Sequence, residues 1–465
     1  MKEVSYRYNF KDLINGILLL LFLPCGAYVL TGVNIFGEEP MRQLPNSLFL
    51  YLGLAVVILF ATLLIFNVLA KKYRPSLPII IMFSVLFFAN TFHVLFFKSP
   101  RIFSINFEGV NYDIYYYVTL ERKLVYVLQF FVVLALMFLI IDFLPKSFPN
   151  LNYLYILSIA VVIYALVCAC ISFTRESEFY ITLIPKLLVA DSKFNYPQSI
   201  FPNKNSYALI LLLGLVASLF LYNHKLHFYW IIPACFFLIL IIFSFCKTLI
   251  FISPIYFFSF LTISFILSVK EHPLRNTITL SIVLLVLIII ATVIFFLIKA
   301  APGVKTYLSA LFDFYNLEYG SIASRIDIWK HSFVLIGQTS ALLGVGYSLY
   351  GNILYEFMLG SDLQTLGQQM FAHNMFIEAL GNGGIIFLSA SVAILIYAIY
   401  LGIKLFKNNK SLVLFTFLLI IVLMAYGLVE SGTFLFPFNI DFAYLSGVVF
   451  IPLFYKKKEL KKVLF

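Results

Sequence analysis

Residues 228–269 read FYWIIPACFFLILIIFSFCKTLIFISPIYFFSFLTISFILSV, with Lys247 as the one charged residue in 42 positions. As one α-helix this run would stretch about 63 Å, twice the roughly 30 Å hydrocarbon core of a bilayer. It predicts two spans, Phe228–Phe245 and Leu249–Val269, joined by a tight hairpin near Lys247. The rest of the chain follows the same pattern. Of 465 residues, 62% are hydrophobic and 11% charged, against roughly 45–50% and 25% in a soluble domain. A soluble enzyme on a single anchor is excluded.

Extending outward, long apolar runs predict further helices at Leu13–Val33, Ser47–Leu69, Leu77–Phe97, Leu124–Leu144, Tyr153–Phe173, Tyr207–Tyr222, Thr277–Ile298, Gly384–Ile403, Ser411–Val429 and Phe438–Tyr455. The expected fold is an all-α polytopic membrane protein of about 12 transmembrane helices, forming a single transmembrane domain over 1–465. Leu13–Val33 is long enough to span and lacks a small-residue cleavage site, so it reads as the first helix rather than a cleaved signal.

Charge then sets the expected orientation. One alternating set of connections, including both termini, holds 18 Lys and Arg residues in 56 positions; the other holds the remaining 14 in 168. The positive-inside rule makes the first set, and both termini, cytoplasmic. Three connections on the outer side are long: 98–123, 174–206 and 299–383. The last is rich in Tyr, Leu, Phe and Gly without low complexity, so it is expected to be one large folded helical loop on the outer face, with 174–206 a second outer-face loop. Chemistry is therefore expected outside the cytoplasm.

Several classes recede. The net charge of +11 is scattered between apolar stretches and forms no nucleic-acid face. Five cysteines in or beside apolar runs (Cys25, Cys168, Cys170, Cys235, Cys246) are odd in number and read as small packed hydrophobes. No Walker A pattern and no GxGxxG after a strand is present, so nucleotide-driven work is not expected. No halving into paired repeats supports a secondary transporter. No His/Cys/carboxylate group has metal-ligand spacing, and neither a protein-held metal nor a cofactor is expected.

Four stretches carry candidate chemistry. In Ser321–His331, Ser324 and Asp327 have the spacing of a helix N-cap and its N3 acid, which puts Arg325 in the first turn. Arg325 and Trp329 then share one face, Asp327 and His331 another; the plain alternative is an interfacial helix with Trp329 at headgroup level. Gly344 and Gly346 permit a turn or a close backbone approach to a ligand. Phe371–Gly381 reads as a helix with Asn374 and Glu378 paired at i,i+4, ended by Gly381, Gly383 and Gly384. His373, in an outer loop just before a span, has a neutral imidazole able to accept a hydroxyl proton, although a lone His beside aromatics is also a common packing residue.

The fourth stretch, Ser244-Phe-Cys-Lys247, matches the S-x-x-K of penicillin-recognising enzymes, but S-D-N and K-T-G are absent and the match reads as accidental. Lys247 itself is a cation at an apolar turn, placed to snorkel or to meet an anionic headgroup.

In this order, Ser324-Arg325 with Trp329, Gly344-Val345-Gly346, His373-Asn374 with Phe376 to Glu378, and Gly383-Gly384 resemble the O-antigen ligase and polymerase superfamily of bacterial membrane glycosyltransferases. Phe201–Ala208, with Asn203 and Asn205, looks like the Asn-rich opening of a helix in that family. The resemblance covers roughly 201–388. It implies a glycan carried on undecaprenyl diphosphate at the outer leaflet of the bacterial inner (cytoplasmic) membrane, and its inverting transfer to an acceptor hydroxyl. His373 matches the family's candidate base. Arg325 and Lys247 would offset charge developing on the leaving diphosphate. Arg175, Asn374, Glu378, Trp329, Gly344, Gly346 and Asn205 are further candidates for diphosphate or glycan contact. Where the family presents Ser-x-x-Arg at the hairpin, this chain has Lys247, which keeps charge but loses the planar two-pronged grip of arginine.

The His-Asn-x-Phe-x-Glu form and the Lys-, Asn-, Ile- and Phe-rich composition look more like repeat-unit polymerases than like ligases, which transfer the glycan to the lipid A core. The implied partners are the lipid-linked oligosaccharide, the bilayer, a chain-length regulator and a flippase. A repeat-unit exporter and a noncatalytic scaffold are the rival classes.

Overall fold

The computed structural model describes residues 77–96, 98, 101–138, 153–182, 197–199, 204–225, 228–268, 322–347, 349–359, 370–405 and 410–430, with isolated positions at 58–76, 142–143 and 273–292. The expected spans Leu13–Val33 and Phe438–Tyr455, and Cys25, lie outside the described residues. Only scattered positions of Ser47–Leu69 and Thr277–Ile298 fall within them.

The described chain is mostly helical. In order, its elements are α1 (Leu77–Phe96), strands β1 (Arg101–Phe107) and β2 (Val110–Tyr116), α2 (Leu120–Phe138), α3 (Tyr153–Arg175), α4 (Lys204–Lys225), a 3-10 turn at Phe228–Trp230, α5 (Ile231–Phe243), α6 (Lys247–Ser268), α7 (Ile322–Thr339), α8 (Leu349–Leu359), α9 (Met375–Leu405) and α10 (Lys410–Gly427). Among the described residues four segments are long and apolar enough to cross a membrane: Leu77–Phe96, Ser158–Arg175, Lys247–Ile266 and Met375–Tyr397. Shorter apolar helices cover Tyr207–Tyr222, Ile231–Phe243 and Thr416–Gly427. Large apolar side chains stand on the outside of these helices, with Ile255, Ile266, Ile396 and Ile421 all more than 60% exposed. Such surface on a monomer needs a cover, and a bilayer supplies one.

The hairpin read from residues 228–269 is present. Helix α5 stops at Phe243 and α6 starts at Lys247. Between them Phe245 has φ 58°. The Ser244 hydroxyl donates to the Ile241 carbonyl at 2.7 Å and accepts from the Cys246 N–H at 3.3 Å. Ser244 thus ties off a helix end and corners the chain, which gives the S-x-x-K match a structural reason.

Helix α4 lies at the centre, with Ala208 through Leu213, Leu215, Val216, Ala217 and Leu219 buried all round its circumference. An all-round apolar helix has to be covered all round. α3, α5 and α6 pack on it. A Cβ at Gly214 would stand 2.8 Å from Ala165 and from the Phe237 ring, so the three helices cross closely there.

Two features go beyond the sequence reading. Among the described residues the helical architecture carries a β element, because residues 101–116 form an antiparallel hairpin with Arg101 opposite Tyr116 and Phe107 opposite Val110. The alternation was there: Phe103, Ile105, Ile114 and Tyr116 point inward, while Ile102, Val110 and Tyr115 face out. Glu108 and Gly109 make the two-residue turn, both with positive φ. The hairpin rests on α7 through paired bonds between Gln338 and the Asn106 backbone, at 2.9 and 2.8 Å.

The second feature is at the tenth predicted span. α9 starts at Met375 and runs through the glycines, kinked at Gly384 (φ 67°, ψ −166°). The break is satisfied by the segment 341–346. The Val345 and Gly346 N–H groups donate to the carbonyls of Gly381 (2.7 Å) and Asn382 (2.9 Å), and the Ile385 N–H donates to the Ala341 carbonyl at 2.9 Å. Backbone groups freed by the kink are thereby paired, as burial requires. Among the cysteines, Cys168 and Cys246 are buried as expected, Cys235 is half-buried and Cys170 is exposed on its helix.

Candidate functional site

Five chain segments meet at one end of this bundle, around Glu430, which follows α10. The Glu430 carboxylate is 8% exposed and accepts three bonds. Arg325 Nη2 lies 2.8 Å from Oε1, Asn205 Nδ2 donates to Oε1 at 3.0 Å, and His373 Nδ1 lies 3.1 Å from Oε2. Arg325 Nη1 also donates to the Val429 carbonyl. An ionised carboxylate can only accept, so the His373 nitrogen that faces it carries the proton. The His373 side chain is 33% exposed while Arg325 is 12% exposed. The imidazole is reachable and its supports are shielded.

Local sequence explains why His373 stands there. Asn374 caps α9, its Oδ1 accepting from the N–H groups of Phe376 (3.0 Å) and Ile377 (3.2 Å), while its Nδ2 donates to the Leu428 carbonyl at 3.1 Å. On the other side of His373, the Ala372 N–H donates to Glu378 Oε2 at 2.7 Å and the Ala372 carbonyl accepts from Trp329 Nε1 at 2.7 Å. Held from both sides, His373 sits at φ 49°. That conformation costs a non-glycine residue of order 1–3 kcal/mol and persists only where neighbours over-determine it. The Asn374–Glu378 spacing therefore serves a cap and a back-turned carboxylate around His373. Asn374→Ala is expected to cost about 1–2 kcal/mol, checked as a lowered thermal midpoint in detergent.

Trp329 is likewise bound to the backbone beside His373, through its Nε1 and the Ala372 carbonyl. Asp327 and His331 do pair, His331 Nδ1 lying 2.9 Å from the Asp327 carbonyl oxygen and 3.6 Å from Oδ1. Ser324 lies inside α7, which starts at Ile322, so it is not the cap.

The positive side of the site is unusual in its placement. Lys204, Lys247 and Arg325 each lie in the first turn of a helix, α4, α6 and α7, and none of those turns holds an acidic residue. The helix dipole disfavours cations there by roughly 0.3–1 kcal/mol each. The Lys204 ammonium is held below its ordinary pKa by burial, opposed by Cys246 and assisted by Lys247. Burial pushes the Cys246 thiol up to about 12, with Glu430 adding to the rise and Lys204 and Arg325 opposing it. These influences place Lys204, Lys247, Cys246, Arg325 and Glu430 in one electrostatic neighbourhood.

The other candidates fall elsewhere. Arg175 is exposed at the end of α3 and donates to the Ser199 carbonyl at 3.2 Å. Its neighbour Glu176 accepts from the N–H groups of Gln198 (2.9 Å) and Ser199 (2.8 Å). Together they fasten 197–199 to α3, and among the described residues no bond joins Arg175 to Glu430. Gly344 and Gly346 approach the protein itself: a Cβ at 344 would lie 2.6 Å from the Gly384 backbone N, and one at 346 would lie 3.1 Å from the Val94 side chain. Packing accounts for both. Among the described residues no three His, Cys, Asp or Glu side chains are grouped to hold a metal ion.

Sequence reading missed Glu430 and Lys204. A signal for the first existed, because Glu430 is the one acid between residues 379 and 440 and lies at the end of an apolar run, where ionisable groups are usually functional. Lys204 stood inside the quoted Phe201–Ala208 stretch, overshadowed by its asparagines. Set against known protein-family models and against curated proteins, the sequence matches none.

Proposed function

We propose that this chain is a multi-pass glycosyltransferase of a bacterial cytoplasmic membrane that joins undecaprenyl-diphosphate-linked repeat units into polysaccharide at the outer leaflet. The observation that carries the reading is the meeting of His373, Arg325 and Asn205 on Glu430, with Lys204 and Lys247 nearby in the first turns of two helices. Glycosyl transfer from a lipid diphosphate needs a base for the acceptor hydroxyl and positive charge for the departing diphosphate. His373 supplies the first. Lys204 and Lys247, reinforced by the partial positive charge of their helix ends, supply the second. Cations placed against the helix dipole make sense where an anion is to be received.

All the segments involved come from connections that the charge pattern assigns to the outer side: 174–206, the turn at Lys247, 299–383 and the chain after Val429. Twelve spans with both termini cytoplasmic, and association with a chain-length regulator and a flippase, complete the proposal.

The test uses the full chain purified in detergent and the lipid-linked oligosaccharide extracted from cells lacking the gene. Elongation without a sealed compartment supports the reading; failure to form any glycosidic bond, with vectorial movement in vesicles, replaces it by an exporter. In the deletion strain, single-repeat caps on the core fit a missing polymerase, and long polymer left on the carrier lipid reassigns the chain as a ligase. Lys204→Gln and Lys247→Gln are each expected to raise KM for the lipid diphosphate about 10- to 100-fold, the worth of a bond to a charged group. Unchanged KM in both would remove the anion site from this place.

A further inference from the structure

We propose that Glu430 is the positioning residue that makes His373 a directed base, and that Arg325 acts mainly by holding Glu430 rather than by gripping the leaving group. This deepens the function proposed above and rests on it. The geometry supplies the argument. Glu430 Oε2 takes the Nδ1 side of His373 at 3.1 Å, so the proton sits on Nδ1 and the lone pair on Nε2. Among the described residues Nε2 has no bonding partner, and the third of the side chain that is exposed is available to an acceptor. Each terminal nitrogen of Arg325 makes one bond, Nη2 to Glu430 and Nη1 to the Val429 carbonyl. Its Nε is buried with no bonding partner. The Arg325 charge is matched by the Glu430 carboxylate, and a guanidinium already paired in this way acts first on that carboxylate.

Asn205 completes the frame. It adds a neutral donor to Oε1 beside Arg325, so that oxygen is held twice and Oε2 is left turned toward the imidazole. In the transfer step the acceptor oxygen forms its bond to the anomeric carbon and its proton passes to Nε2. The bond from that carbon to the diphosphate oxygen breaks, and its electron pair leaves on the diphosphate. His373 is then an imidazolium facing a carboxylate, which stabilises the charge as it forms. The same logic, an acid that orients a histidine and selects its tautomer, operates in hydrolytic triads.

The experiment compares kcat and KM for elongation of the extracted lipid-linked oligosaccharide by native protein, Glu430→Gln, Glu430→Asp and His373→Asn. A positioning role predicts that Glu430→Gln lowers kcat about 100-fold with KM nearly unchanged, and that Glu430→Asp recovers part of the loss. Glu430→Gln retaining kcat within about threefold, while His373→Asn loses it, overturns the inference and leaves the proposed function standing. His373→Asn retaining its rate likewise overturns the inference alone, whereas native protein that forms no glycosidic bond sinks the function itself. Removing a buried carboxylate strips Arg325 of its counter-charge and can unfold the variant, so a second measurement uses native protein. Nitrogen-15 histidine spectra, assigned by the signal missing in His373→Asn, are expected to show the proton on Nδ1. A proton on Nε2 overturns the proposal.

Discussion

A His373→Asn variant is expected to reach the membrane at the native level and to elongate lipid-linked oligosaccharide about 10²- to 10⁴-fold more slowly, the usual contribution of a general base. Asparagine is the informative replacement. Residue 373 has φ 49°, a region that asparagine tolerates better than most side chains. The anchors on either side, Asn374 on Leu428 and Ala372 on Trp329 and Glu378, involve neither ring nitrogen of His373. The fold near the site should therefore survive while the base is lost. Alanine at 373 would mix a backbone penalty with the chemical one. Arg325→Ala would be harder to read, because it leaves the Glu430 carboxylate buried without its cation at a cost of about 3–5 kcal/mol. Native elongation rates in folded His373→Asn protein would mean that the acceptor is activated elsewhere.

The second large effect concerns stability. Gly384→Ala is expected to destabilise the protein by more than about 4 kcal/mol, the range reached only by named structural failures. A Cβ at 384 would stand 2.3 Å from the Leu342 carbonyl oxygen and 2.5 Å from Gly344 N, at φ 67°. Neither neighbour can retreat cheaply, since the 341–346 segment is bonded to the kink through Ala341, Val345 and Gly346. A contrasting substitution is Gly337→Ala, inside α7, where a Cβ meets nothing within 4 Å. It should be neutral or stabilising by about 0.5–1 kcal/mol from helix propensity. Thermal midpoints of the two variants in the same detergent test the pair; a Gly384→Ala protein that melts with the native one would show that the kink is not held by this loop.

Because the kink at Gly384 comes early in α9, it also bears on function. The first part of α9 carries Glu378 and, just before it, His373 and the capping Asn374. Its direction is set where residues 341–346 dock against Gly381–Gly384. The Gly344-Val345-Gly346 motif therefore reaches His373 through packing: Gly344 lets two backbones touch, and that contact aims the helix end on which His373 sits.

Much of this was legible in the sequence. Composition alone requires apolar helices with lipid-facing sides, because 62% hydrophobic residues exceed what one water-soluble core can bury. The turn near Lys247 followed from a length argument, since no straight helix of residues 228–269 fits a bilayer. Arg325 and His373 were found because charged and titratable groups are costly in such a chain and stand out. The β-hairpin was missed because alternation over a strand of seven residues is a weaker signal than a full apolar span, and Tyr and Phe on both faces blurred it.

Only the tertiary structure decided what those residues do to one another. Residues 205, 325, 373 and 430 are separated by as many as 225 positions, and no local pattern ties a carboxylate at the end of one helix to a histidine before another. Spacing within a helix reports which side chains share a face; the partners of a buried charge are chosen by how helices cross. The sequence thus determined a membrane-bound, helix-rich chain with its rare polar groups marked. The way the helices cross determined that Arg325 belongs to Glu430, that Glu430 belongs to His373, and that Gly344 belongs to the backbone it packs against.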